Sequence, residues 1–236
     1  EKKTTVMDGH GGYMNGSRYY GEDLPINTWY MKRFAGLSED GLSLWYYTDK
    51  ETNEEKTTTT YSTGDFYLCG DPNPDLYGGF GTSITFHGFD LSTQFSYLVG
   101  GLTYDYGYAG MMGNPTATSV GNRWHKDVLK AWSPENPSST IPRWHFNDLN
   151  TTGSSDRFLI DGSYLNLQNI QVGYTLPDSW TSHLKIKNLR LYFVCDNVYY
   201  WSKRKGLDPR RSISGVGTSG KIAPFRTYSG GISLQF

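Results

Sequence analysis

The sequence lacks a long apolar run. Nothing in it approaches the ~20 residues that a membrane-crossing helix needs. It has only two cysteines, Cys69 and Cys195, and no CxxC pair, so a zinc-ribbon or thioredoxin-type site is excluded. They read as free structural thiols. Charge of one sign is missing too: 22 Lys and Arg face 23 Asp and Glu, for a net charge of −1. That balance excludes a polybasic nucleic-acid binder. The five histidines, His10, His87, His125, His145 and His183, show no HxxxH or other ligand spacing. There is no GxSxG and no Walker motif. Asp71 and Asp75 flank Pro72 and Pro74 and read as turn formers rather than a catalytic pair. The reading is therefore of no enzyme, no cofactor and no metal. The opening "EKKTTVMDGH" lacks the apolar core of a secretory signal. Either the chain is cytosolic or its native start lies upstream.

What the sequence does have is aromatics and glycine: 19 Tyr, 11 Phe, 7 Trp and 28 Gly. Mean hydropathy is −0.57. Aromatics with Gly, Ser and Thr are what β-rich chains use. A low mean hydropathy leaves a membrane barrel open, because only the lipid-facing half of its wall is apolar.

Period-two alternation follows. In "RTYSGGISLQF", Tyr228, Gly230, Ile232, Leu234 and Phe236 share one face. In "GGFGTSITFHG", Phe80, Thr82, Ile84 and Phe86 do the same. "FDLSTQFSYLVGG" continues it through Phe89, Leu91, Thr93, Phe95, Tyr97 and Val99, and the two runs meet at a tight His87–Gly88 turn. "NLRLYFVCDNVYYW" alternates Leu189, Leu191, Phe193 and Cys195 with Asn188, Arg190, Tyr192, Val194 and Asp196, a less purely polar face. These are strand signals. "SYLNLQNIQVGYTLP" changes phase: Leu165 and Leu167 are odd, Ile170, Val172, Tyr174 and Leu176 even, which marks a bulge or a strand passing from one environment to another. "NTWYMKRF", residues 27–34, is a sixth and weaker candidate.

The connections alternate in length. Residues 35–77, 105–157 and 202–225 are long links; Gly88 and 177–184 are short ones. Outer-membrane barrels show this asymmetry, with short periplasmic turns and long outer loops. Phe86, Phe89, Tyr174 and Phe236 then fall near one membrane interface, and Tyr97, Tyr199, Tyr200 and Trp201 near the other. The alternative is a secreted or surface β-sandwich that binds carbohydrate through exposed tryptophans. The two differ at Phe95, Leu191, Ile232 and Leu234, which a sandwich buries and a barrel wall turns outward.

Four blocks carry a family resemblance: "GDPNPDLYGGFGTSITFHGFDLSTQFSY", "SSDRFLIDGSYLNLQNIQVGYTLP", "LRLYFVCDNVYYWSKRKGLDPR" and "RTYSGGISLQF". Together and in order they closely resemble the C-terminal region of the SusC/RagA-type TonB-linked outer-membrane proteins of Bacteroidetes. The resemblance implies an all-β fold, a portion of an antiparallel transmembrane β-barrel spanning residues 1–236. It also implies import of glycans or peptides, TonB as the energy source, a SusD-like surface lipoprotein as partner and the outer membrane as location. The plug and most strands of such a barrel are absent, and six strands are fewer than the eight of the smallest single-chain barrels. The expectation is a fragment forming an open sheet, with exposed edges near 27–34 and 226–236.

Within that frame Trp124, Trp132 and Trp144, with Arg123 and Arg143, stand in the richest outer loop. They are candidates for substrate or lipoprotein contact, or for packing the loop on itself. "HKDVLKAW" reads as a short helix ended by Ser133–Pro134. The basic run at 202–212 lies just beyond Trp201, where cations meet anionic outer-leaflet groups, acidic groups of a partner, or solvent alone. Ser83, Thr85, Ser92, Gln94, Ser96, Ser229, Ser233 and Gln235 are lumen candidates. Tyr228, Ile232, Leu234 and Phe236 resemble the terminal aromatic strand by which barrels are recognised for assembly.

Overall fold

The computed structural model describes residues 5–7, 9–114, 123–146, 148, 153–182, 185–203, 208, 210, 214–216 and 224–236. In chain order the strands are β1 (Thr5–Met7), β2 (His10–Asn15), β3 (Arg18–Gly21), β4 (Thr28–Lys32), β5 (Phe34–Leu37), β6 (Ser43–Thr48), β7 (Glu55–Thr58) and β8 (Phe66–Leu68). There follow β9 (Leu76–Phe86), β10 (Phe89–Val99), β11 (Leu102–Tyr104), β12 (Leu159–Asp161), β13 (Tyr164–Thr175), β14 (Asn188–Ser202) and β15 (Thr227–Gln235). Two short α-helices, α1 (Tyr106–Met111) and α2 (Asp178–Thr181), lie between strands. Among the described residues no helix is long and apolar enough to cross a membrane.

The chain divides into two compact units. The second, Pro74–Gly100, Gly162–Arg210 and Lys221–Phe236, is built on one antiparallel sheet ordered β15-β14-β13-β10-β9. Its first hairpin is closed by His87 (φ 46°) and Gly88 (φ 83°). Both central residues have positive φ, the requirement of a two-residue turn that matches strand twist. A side chain at Gly88 would come 2.7 Å from the Thr175 carbonyl oxygen, so glycine is needed there.

The phase change in β13 is a bulge at Gln168. On one side Gln94 pairs with Asn169 and Phe95 with Leu167, which leaves Gln168 unpaired. On the other, Leu167 pairs with Tyr199 and Asn169 with Asp196, so Asn197 and Val198 stand against Gln168 alone and β14 carries one extra residue. Asn197 takes φ 51° there. The inserted residue lets both halves of β13 present apolar side chains to one face.

The first unit comprises residues 1–73, 101–161 and 211–220. It holds the sheet β1-β2-β3-β4-β8, the sheet β5-β6-β7 and the pair β11-β12. Trp29, Met31, Tyr104, Met112 and Phe158 form its core, joined by Leu102, Tyr108 and Ile141. All five residues of β4 are buried. The Arg18 guanidinium lies 3.1 Å from the Trp29 ring centroid and donates to the carbonyls of Asn27 and Ser214. Burial pushes its pKa down to about 10. Lys32 is buried as well, and its ammonium donates to the carbonyls of Tyr61 (2.5 Å), Ser62 (3.2 Å) and Gly64 (2.6 Å).

The antiparallel all-β fold matches the sequence reading, with one displacement. Residues 27–34 do contain a strand, β4, but it pairs with β3 and β8 and not with the long strands. The edges of the long-stranded sheet are β15, as expected, and β9. The stretch 35–77, read as a loop, carries β5 to β8.

Candidate functional site: two faces of one sheet and a tryptophan loop

Strand register sorts the side chains of the long-stranded sheet. One row runs Phe86, Phe89, Tyr174, Leu191, Ile232 across all five strands. The next runs Ile84, Leu91, Val172, Phe193, Gly230. Toward the other end, Phe95 pairs with Phe80 and Leu167, and Tyr97 with Gly78 and Leu165. Phe80 and Phe95 stack at 4.8 Å, and Phe193 and Tyr228 at 6.0 Å. This face is open: Leu191 is 44% exposed, Ile232 65% and Leu234 50%. Phe95 is half-buried beneath Phe80. A β-sandwich would bury these positions against a second sheet, so the sandwich alternative fails on this observation.

The opposite face is polar. Thr85, Asp90, Gly173, Tyr192 and Gly231 form one row, and Ser83, Ser92, Gln171, Val194 and Ser229 the next. Arg190 grips Asp90 with two hydrogen bonds, Nε to Oδ1 at 2.9 Å and Nη2 to Oδ2 at 2.5 Å. Gly173 lies under that pair. A Cβ there would sit 2.4 Å from Asp90 Oδ1 and 2.6 Å from Arg190 Nη2. Asn169 Nδ2 donates to Asp196 Oδ1 at 2.7 Å. Gln168 Nε2 and Asn166 Nδ2 both donate to Ser96 Oγ, at 3.0 and 3.3 Å. Arg210 donates to Asn166 Oδ1 at 2.6 Å, pairs with Asp208 and lies over the Tyr200 ring. Tyr200, grouped in the sequence with Tyr199 and Trp201, thus belongs to the polar face, whereas those two are exposed on the apolar one.

Sequence reasoning had found the hydroxyl and amide side chains of this face but not its ion pairs. Alternation puts Asp90 and Arg190 on the polar side of their own strands. Their meeting requires the register of β13, across which they reach each other.

The tryptophan loop lies in the other unit. Lys126–Lys130 form a 3-10 helix at the expected place, with the His125 ring accepting from the Asp127 amide at 3.2 Å. Trp124 and Trp144 both donate from Nε1 to the Gly113 carbonyl, at 3.1 and 3.3 Å, and meet edge to face with centroids 5.4 Å apart. A void of only about 10 Å³ remains between Trp144, Met112, Asn114 and Arg157. Trp132 covers Gly41, where a Cβ would meet its ring at 2.3 Å. The Arg143 amide donates to the Gly41 carbonyl, and its guanidinium approaches Asp148 at 3.4 Å. Arg123 is exposed. Trp124 and Trp144 are brought together; Trp132 and Arg143 converge instead on Gly41.

Tyr228, Ile232 and Leu234 lie on β15 and are exposed, as is Phe236 beyond it. Of the basic run, Lys203 is exposed, while Arg204, Lys205 and Arg211 lie outside the described residues, as does His183. Cys69 and Cys195 are both free. Among the described residues no group of His, Cys, Asp and Glu is placed to hold a metal ion.

No family model matches the chain. TonB-dependent receptor P3 of Formosa agariphila is 29% identical over 95% of the chain, which corresponds to 22% of that receptor. TonB-dependent receptor SusC of Bacteroides thetaiotaomicron is 27% identical over 75% of the chain and 17% of its own length. Among solved structures, the RagAB peptide importer in its open-open state matches with a TM-score of 0.76 and 25% identity, covering 100% of this chain and 25% of that one. The chain therefore spans about a fifth of the length of its first-matched curated relative. The resemblance drawn from the four sequence blocks stands: the chain is similar in sequence and in fold to TonB-dependent receptors of the SusC/RagA type.

Proposed function

We propose that this chain is the C-terminal portion of a TonB-dependent importer in the outer membrane of a Bacteroidetes-type bacterium. The observation that carries the reading is the two-faced sheet, with an open apolar face backed by a polar one. Strands of nine to fifteen residues suit it, since a tilted transmembrane strand needs about 9–11. The apolar face lies against lipid and the polar face lines the passage. Small hydroxyl and amide groups there form exchangeable hydrogen bonds with a glycan or peptide in transit. No bond is broken in this role. TonB acts through a region outside these residues, and a SusD-like lipoprotein covers the outer mouth, where Trp124, Trp132, Trp144, Arg123 and Arg143 are its candidate contacts or the cargo's. Tyr228, Ile232, Leu234 and Phe236 serve assembly.

The test is fractionation of the producing cell, with the complete receptor carrying Phe236→Ser alongside the unaltered one. The reading requires the protein in the outer-membrane fraction and lower levels for the variant. Recovery of the unaltered protein in the soluble fraction overturns the transport reading. Equal membrane levels overturn the assembly role of Phe236 alone.

A further inference from the structure

The apolar face ends in a cation. Arg226 immediately precedes β15, and alternation continues it from Tyr228, Gly230 and Ile232 onto the open apolar side. Its guanidinium is exposed and reaches the Tyr228 hydroxyl at 3.5 Å. Among the described residues no carboxylate lies within ion-pair distance of it. Around it is a groove of about 460 Å³, lined by Asn197, Tyr199, Trp201 and Pro224 and also by Tyr200 and Arg210, so that it takes in the polar side of β14 as well as the apolar one. Tyr199 and Trp201 meet edge to face at 4.8 Å, and both are exposed. Asn197 Nδ2 donates to the Phe225 carbonyl at 3.2 Å, which ties the Pro224–Arg226 segment to β14. Lys203, two residues past Trp201, adds a second exposed cation.

A hydrocarbon surface, then a band of amphipathic rings, then an uncompensated guanidinium is the order of layers met on leaving a membrane. Arg210 is already neutralised by Asp208, so the groove's unbalanced charge is that of Arg226. A guanidinium in that layer matches a phosphate with two parallel hydrogen bonds. The two rings supply an apolar wall for the acyl chain or sugar ring attached to it.

We propose that the Arg226–Trp201 groove binds the phosphate headgroup of a net-anionic lipid at the rim of the wall. The site rests on the membrane reading of the sheet and adds to it a specific ligand class and a position.

The experiment reconstitutes the complete receptor into vesicles of phosphatidylcholine containing either brominated phosphatidylcholine or brominated phosphatidylglycerol. Quenching of Trp201 is taken as the difference between the receptor and its Trp201→Phe variant. A single basic residue near an anionic surface is worth about 1 kcal/mol, or roughly a fivefold preference. The expected result is roughly that preference for the anionic lipid, lost in Arg226→Gln and kept in Arg226→Lys. Equal quenching by both lipids, or a preference that survives Arg226→Gln, overturns the headgroup site while leaving the membrane reading intact. Absence of quenching by either lipid overturns the membrane reading itself. If inorganic phosphate in solution abolishes the preference, the groove takes the free anion and the lipid assignment falls.

Discussion

Asp90 and Arg190 stand 100 residues apart in the chain and close a two-pronged ion pair over the bare backbone of Gly173. The pair staples β10 to β14 across the strand between them. Gly173→Ala puts a methyl where the carboxylate sits, so overpacking of about 1–3 kcal/mol is expected. Resistance to unfolding in detergent measures it. The double variant Gly173→Ala with Asp90→Ala is expected to lose less than the sum of the two singles, because the clash and the pair share one space. Strict additivity would show that the methyl is accommodated elsewhere.

Deleting Gln168 removes the extra residue that keeps both halves of β13 in phase. Either Leu165 and Leu167 or Ile170 and Val172 must then turn to the polar face. The expected outcome is a sharp fall in folded receptor in the membrane. Gln168→Ala, which keeps the bulge and loses only the bond to Ser96, is expected to assemble normally. Similar losses for both would move the importance from register to the side chain.

Trp124→Ala and Trp144→Ala each remove a partner from the shared carbonyl of Gly113, and Trp132→Ala uncovers Gly41. Faster proteolytic nicking within 105–157 is expected from each. Uptake of the proposed cargo and co-purification with the proposed lipoprotein are measured on the same variants. If both persist while nicking accelerates, the loop tryptophans act by packing alone.

Burial pushes the Cys69 thiol up to about 11 from an ordinary value near 9.0. The unfolded thiol ionises first, so the folded state loses stability as pH rises from about 9 to about 11. In a Cys195→Ser background, maleimide labelling of the folded protein is expected to stay slow up to about pH 10, while the denatured protein labels readily near pH 9. Equal rates at pH 9 would place the thiol in water.

The long-stranded sheet was legible in the sequence because its strands have one apolar face, and a period of two reports that asymmetry. The hairpin showed in His87–Gly88 between two such runs, and the bulge in the parity switch between Leu167 and Ile170. The strand at 28–32 was legible as a strand but not as to its sheet. Trp29, Tyr30 and Met31 are consecutive and all buried, and a strand covered on both sides carries no face to read. The short strands of 35–77 are three to six residues long, too few for alternation to stand above chance. The Asp90–Arg190 pair and the convergence of Trp124 and Trp144 on Gly113 depend on register and loop path, which no local pattern encodes. Arg226 was visible only as one more charge until β15 fixed its face.

Lys32 acts as a tethered ion. Carbonyl oxygens that converge on one point, as those of Tyr61, Ser62 and Gly64 do, ordinarily call for a water or a dissolved cation between them. Here the chain supplies the cation from β4, fixed by a covalent stem and shielded from screening by its burial. The turn it organises therefore carries its own counter-charge to those carbonyls, with no separate ion needed between them.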